Sequence, residues 1–207
     1  MPNPWLAIPL ADYEGHMAAP EVFQTQALCS LFAEALAVRR PASVAVLGLA
    51  GGNGLEHIDR SLTRRIVGLD INPAYLDAVR ERYPDQPGLE LHATDLAEEA
   101  IQLPPVELVH AALVFEHAGT GRCLDNALAL LGEDGALSVV LQLPGASEQA
   151  VGASGIASIR SLESHFSFIA PKAFRTQLLE HGLEPVYEAQ RAVPGGKALW
   201  MGIFVRG

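Results

Sequence analysis

Basic residues are scarce in this chain: 14 lysines and arginines stand against 24 acids, a formal charge of −10. Neutralising phosphates takes a basic stripe, and none is visible, so a nucleic-acid partner is not expected. Cysteine is scarcer still. Cys29 and Cys123 are too few and too isolated for a zinc site or a disulfide framework, and read as reduced structural thiols. No histidine and carboxylate stand at metal-ligand spacing, so no metal is expected. Long apolar runs are missing too: nothing approaches the roughly eighteen residues of a membrane span. The opening MPNPWLAIPLADYEG lacks a positively charged stretch and is broken by prolines and acids. That pattern argues against a secretory leader and for a cytoplasmic protein without membrane contact.

What is present suits a core. Of 207 residues, 49% are apolar and 18% charged, enough for one sizeable α/β domain. PEVFQTQALCSLFAEALAVRR has helical spacing, with Pro20 placed for a first turn. SVAVL, RIVGLD, LELHAT, VELVHAALV and GALSVVLQ then read as strands. Asn72 followed by Pro73 is a helix start between two of them. RCLDNALALLGEDG reads as a weaker helix ended by Gly132 or Gly135, and PKAFRTQLLEHGL as an amphipathic one closed by Gly182. EPVYEAQRAV and KALWMGIFVRG, split by PGG, predict an antiparallel end to the sheet. Strands alternating with helices imply right-handed crossovers and a doubly wound, mostly parallel sheet.

In such a sheet ligands bind beyond the carboxyl ends of the strands. VAVLGLAGGNGLEHID places Gly48, Gly51, Gly52 and Gly54 there, where backbone can approach a ligand and a following helix can offer free N–H groups. Asp70 ends the second strand, where an acceptor-only carboxylate can take both hydroxyls of a ribose. Asp95 follows the third, within reach of an adenine amine, and the Leu96 N–H could address the ring. A glycine cluster alone is weak, but three such features at successive strand ends are much more specific. The spacing does not fit the G-x-G-x-x-G dinucleotide fingerprint, and no second domain is left for a dehydrogenase substrate.

Taken in order, VLGLAGGNG, VGLDINPAYL, HATDLAE, VHAALVFEH and LLGEDGALSVVL resemble the class I S-adenosylmethionine-dependent methyltransferases, from about Ser43 onward. The resemblance implies a Rossmann-like seven-stranded sheet with an antiparallel last strand. It also implies an N-terminal helical lid (1–42) belonging to the same domain as the methyltransferase part (43–207). Gly48, Gly52 and Gly54, with Leu49 and Ala50, would line methionine and ribose. Asp70 and Ile71 would meet the ribose, and Asp95 with Leu96 the adenine. Two departures stand out: Val46 replaces the acid that usually precedes the first glycine by two residues, and Ala50 replaces the middle glycine.

Methyl transfer asks a protein mainly for alignment, with a base only where the acceptor must lose a proton. VFEHAG follows the fourth strand, so His117 is the candidate base and Glu116 the group to orient it. Tyr13, His16 and Met17, ahead of the first predicted helix, are candidate substrate contacts from the lid. PGASEQAVGASGIASIRSLESH, after the fifth strand, reads as a gating insertion, with Ile156, Ile159 and Leu162 in a short apolar helix. Ser161, His165 and Phe166 would reach substrate from it. His57 reads as a helix-start residue, His92 and His110 as core residues, His181 as a helix C-terminal cation, and Trp5 and Trp200 as packing. The absence of an Asn/Asp-Pro-Pro-aromatic tetrapeptide, with the acidic charge, points to a small-molecule acceptor, methylated at oxygen or nitrogen. A homodimer is left open. Rival readings are an inactive methyltransferase-like binding module, suggested by Val46, and an aminopropyl transferase.

Overall fold

The computed structural model describes residues 3–145 and 154–207. Its seven strands are β1 (Ser43–Leu47), β2 (Arg65–Asp70), β3 (Leu89–Ala93), β4 (Val106–Ala112), β5 (Leu131–Leu143), β6 (Leu183–Val193) and β7 (Lys197–Arg206). They form one sheet in the order β3-β2-β1-β4-β5-β7-β6. Neighbours from β3 to β5 are parallel, and β7 runs antiparallel to both β5 and β6. The order reverses between β1 and β4, which opens a crevice at their carboxyl ends.

Strand periodicity assigns the layers. Val44 and Val46 enter the apolar layer with Phe32, Leu36, Leu76 and Val79, while Ala45 and Leu47 enter the opposite one with Phe115, Leu124 and Phe174. Both faces of β1 and β2 are therefore covered, which is why their sequences are apolar throughout rather than alternating. Edge strand β6 alternates instead.

Among the described residues six α-helices complete the layers: α1 (Leu10–Ala18), α2 (Gln24–Arg39), α3 (Pro73–Arg82), α4 (Phe115–Ala118), α5 (Arg122–Ala129) and α6 (Pro171–Glu180). The α3 start is as its sequence suggests: Pro73 opens it and the Ala74 N–H donates to Asn72 Oδ1 at 3.0 Å. Four expectations need correction. Pro20 is not in the first turn of α2, because Phe23 adopts a left-handed conformation and the helix begins only at Gln24. Tyr13, His16 and Met17 lie on a helix of their own, α1. No α-helix follows the glycine loop, only a 3-10 turn at Leu55–His57. Gly132 and Gly135 do not end α5 but lie within β5, which starts at Leu131.

A third apolar cluster joins the N-terminal segment to the insertion after β5. Ile8 packs with Ile159 and Leu162 of the 3-10 stretch Ala157–His165, flanked by Trp5, Tyr13 and Ile156. Of the insertion 144–165, residues 146–153 lie outside the described residues. Among the described residues no helix is long and apolar enough to cross a membrane.

Candidate functional site

The glycine loop turns back immediately after β1. Gly48 has φ +65°, and a Cβ there would lie 2.7 Å from Val114 Cγ2, so backbone and β4 terminus approach as only glycine allows. Ala50 holds the left-handed region (φ 48°) despite its methyl, a strain of about 1 kcal/mol. Four side chains hold the loop. The Ala50 N–H donates to Asp70 Oδ2 at 2.8 Å and the Gly54 N–H to Glu56 Oε2 at 3.0 Å. Arg82 donates to the Gly51 carbonyl at 3.0 Å while paired with Glu14, and the Tyr83 hydroxyl donates to the Gly52 carbonyl at 3.2 Å.

A cavity of about 160 Å³ opens beyond these strand ends, and Gly48, Ala50, Asp70, Ile71, Asp95 and Leu96 line it. Asp70 is 7% exposed. Burial pushes its carboxyl above the usual range, against the N–H groups of Asn72, Ala50 and Ile71 that favour its charged form. Asp95 Oδ1 accepts the Ala97 N–H at 2.9 Å. Asn126, far along the chain, donates to the carbonyls of Leu96 and Glu99 and so holds this loop in place.

Other expected contacts fall elsewhere. Leu49 is buried in the layer beside α2 and α3. Gly52 and Gly54 are not on the cavity wall: their missing side chains make room for Leu55, Tyr83 and Phe32 beneath the loop. A second hollow of about 400 Å³ lies behind the loop, sharing Gly48, Ala50, Tyr13 and Met17 with the first. Val46 faces it, beside His110, whose imidazole burial drives down to about 3. The ion pair of Glu14 and Arg82 lies on the same hollow.

Tyr13, His16, Met17, His117 and Phe166 also line the cavity. Trp5 lines the cavity with them and packs against Tyr13. Its ring meets His117 edge-on at 4.9 Å, and Phe166 does so at 5.2 Å. Burial lowers the His117 imidazole to about 4, and its Nδ1 has no hydrogen-bond partner. Glu116 does not orient it. Its Oε1 accepts the Gln142 backbone N–H at 2.7 Å, its Oε2 is buried without a partner, and burial raises the carboxyl to about 7. His165 and Ser161 are exposed and off the cavity wall, since the 3-10 stretch turns Ile159 and Leu162 inward instead. His16 Nδ1 lies 2.7 Å from Ser154 Oγ, and Gln24 donates to Gln142 Oε1 at 2.6 Å across the floor.

The remaining histidines divide. His110 is a satisfied core residue bonded to Ser138, and His181 caps α6. His92 is partly exposed, because β3 is an edge strand. His57 lies against Cys29, which is therefore not an isolated thiol: Sγ to Nε2 is 2.9 Å, and Cys29 donates to Glu56 Oε1 at 3.4 Å. Burial and this bond push the thiol up to about 11. Arg82, Tyr83, Gln24 and Gln142 went unread in the sequence, where no spacing ties them to the loop, and so did Glu56 at the end of the loop itself.

No protein-family profile matches the chain, and no curated protein sequence matches it. Solved structures do. N-methyltransferase NodS from Bradyrhizobium japonicum WM9, in complex with S-adenosyl-L-homocysteine, superposes with a TM-score of 0.69 at 16% identity, covering 99% of this chain and 98% of that one. Magnesium protoporphyrin IX methyltransferase ChlM from Synechocystis PCC 6803, also with bound S-adenosylhomocysteine, gives 0.66 at 11% identity over 91% and 85%. An S-adenosylmethionine-dependent methyltransferase from Mesorhizobium loti gives 0.63 at 13% identity over 84% and 96%. The chain has the class I S-adenosylmethionine-dependent methyltransferase fold.

Proposed function

We propose that this protein is an S-adenosylmethionine-dependent methyltransferase acting on a small-molecule acceptor at nitrogen or oxygen. The observation that carries the reading is Asp70. It is buried at the end of β2 and bonded to Ala50 of the glycine loop, and it lines the cavity. A carboxylate offers about four lone-pair positions. Backbone N–H groups of Ala50 and Asn72 occupy one oxygen each and that of Ile71 also faces the carboxylate, which leaves acceptor capacity for a ribose hydroxyl. Asp95 and Leu96 flank the adenine side. The ion pair of Glu14 and Arg82, on the hollow behind Gly51, complements a zwitterionic amino-acid end and takes over from the acid missing at Val46.

Bound cofactor supplies a methyl group on a sulfonium, electrophilic without further activation. The residues of the chain align the acceptor and exclude water. Trp5, Tyr13, Tyr75 and Phe166 give the cavity an aromatic lining. His117, neutral across the physiological range, has a free acceptor at Nδ1 for a substrate donor and is a weak base. It suits an acceptor already nucleophilic at neutral pH, such as an amine or an acidic hydroxyl, and the name N-methyltransferase of one structural neighbour agrees. The segment before residue 43 serves as lid over the domain 43–207, tied down where Asn72 and Tyr75 donate to the carbonyls of Trp5 and Ile8.

Among the described residues the cavity's carboxylates are Asp70 and Asp95, both on the cofactor side, which leaves no acidic cradle for the polyamine of an aminopropyl transferase. Val46 beside neutral His110 favours a second reading, a binding module without turnover. Isothermal titration with S-adenosylmethionine and S-adenosylhomocysteine tests both. Absence of binding at high micromolar cofactor, in folded protein, refutes the enzyme. Binding without methyl transfer to any of a panel of amines and phenols supports the module.

A further inference from the structure

We propose that Cys29, Glu56 and His57 form a binding site for a single borderline-soft divalent cation of the zinc type, set between α2 and the glycine loop. The three donor atoms come from two elements and converge: Sγ lies 2.9 Å from His57 Nε2 and 3.4 Å from Glu56 Oε1, and those two atoms are 3.9 Å apart. A tetrahedral zinc with ordinary bond lengths of about 2.0–2.3 Å separates such donors by roughly 3.3–3.6 Å, so shifts of about half an ångström seat the ion. Among the described residues this is the only group of three or more metal-ligating side chains so placed.

The donor set selects the ion. One thiolate, one imidazole and one carboxylate suit zinc, whereas magnesium and calcium take oxygen throughout. Glu56 and His57 have side chains 53% and 42% exposed, so solvent reaches the fourth position. Binding exchanges the Cys29 S–H proton, released to solvent, for a sulfur–metal bond. The ion would also act on the loop. Glu56 Oε2 already holds the Gly54 N–H, and Asn53 donates to the Thr25 carbonyl of α2 at 3.1 Å. Metal on Oε1 would therefore fasten α2 to the turn that shapes the cofactor cradle.

Titration of the full chain with cobalt(II), which reports a thiolate ligand by an intense near-ultraviolet charge-transfer band, tests the site without any cofactor or substrate. The expected result is a band that saturates at one equivalent and is displaced by zinc. Cys29→Ser should abolish it, and His57→Gln, at an exposed position, should weaken binding by about tenfold or more. A band that persists in Cys29→Ser, or cobalt binding without the band in the wild type, overturns the proposal. So does equal affinity in His57→Gln.

Discussion

Asp70→Asn is the most informative single change, because it alters charge while nearly preserving shape. In the structure the carboxylate receives the Ala50 N–H at 2.8 Å and the Asn72 N–H at 2.9 Å. Asparagine can keep one of these through its carbonyl oxygen but presents an NH2 group to the other. The loop itself stays pinned by Arg82, Tyr83 and Glu56. Loss of the desolvation that raises the Asp70 carboxyl partly offsets the broken bond, so the fold should survive. A ribose hydroxyl donating to a charged acceptor contributes about 3 kcal/mol at the upper end. Removing that bond costs ~3 kcal/mol, or about a hundredfold in Kd. Calorimetric titration of S-adenosylhomocysteine into both proteins reads this directly, with urea unfolding as the check on integrity. An affinity within a factor of about three of the wild type would remove Asp70 from the ribose.

Burial raises Glu116 from 4.5 to about 7 and lowers His117 from 6.5 to about 4, so with rising pH Glu116 makes stability fall between its two values and His117 makes it rise. Glu116→Gln removes only the falling part, and its stability relative to wild type should increase by ~3 kcal/mol from pH 4.5 to 7 in urea unfolding; a constant difference would refute this. Asn72→Ala removes the cap on Ala74 and the bond to the Trp5 carbonyl. It should cost ~1–2 kcal/mol, seen as a Tm lowered by about 3–6 °C in scanning calorimetry. Val46→Asp restores the acid that the resembling family carries, but at a 9% exposed position among Phe32, Leu36 and Ile66. Chemical unfolding should show a loss of ~2–4 kcal/mol, and tighter cofactor binding at unchanged stability would contradict this placement.

The strands were legible because each carries its own signal. SVAVL and RIVGLD are apolar at every interior position since both sheet faces are covered, and EPVYEAQRAV alternates because β6 is an edge. Asn72-Pro73 was legible because capping is local chemistry. Helix boundaries were less so. Phe23 in a left-handed conformation delays α2 beyond Pro20, and nothing in PEVF announces it. The 3-10 turn after Gly54 likewise replaces the helix that the loop pattern suggested.

At the candidate site the division is sharper. The sequence by itself determined that glycines, Asp70 and Asp95 stand at successive strand ends, since strand order and period place them there. Only the tertiary structure decided what surrounds them. Arg82 reaches Gly51 across 31 positions and Glu14 across 68, and Trp5 closes over His117 from the far end of the chain. It also turned Glu116 toward the β5 backbone and brought Cys29 to His57. Such contacts depend on how whole layers pack, and side chains that meet only through packing leave no periodic trace along the chain.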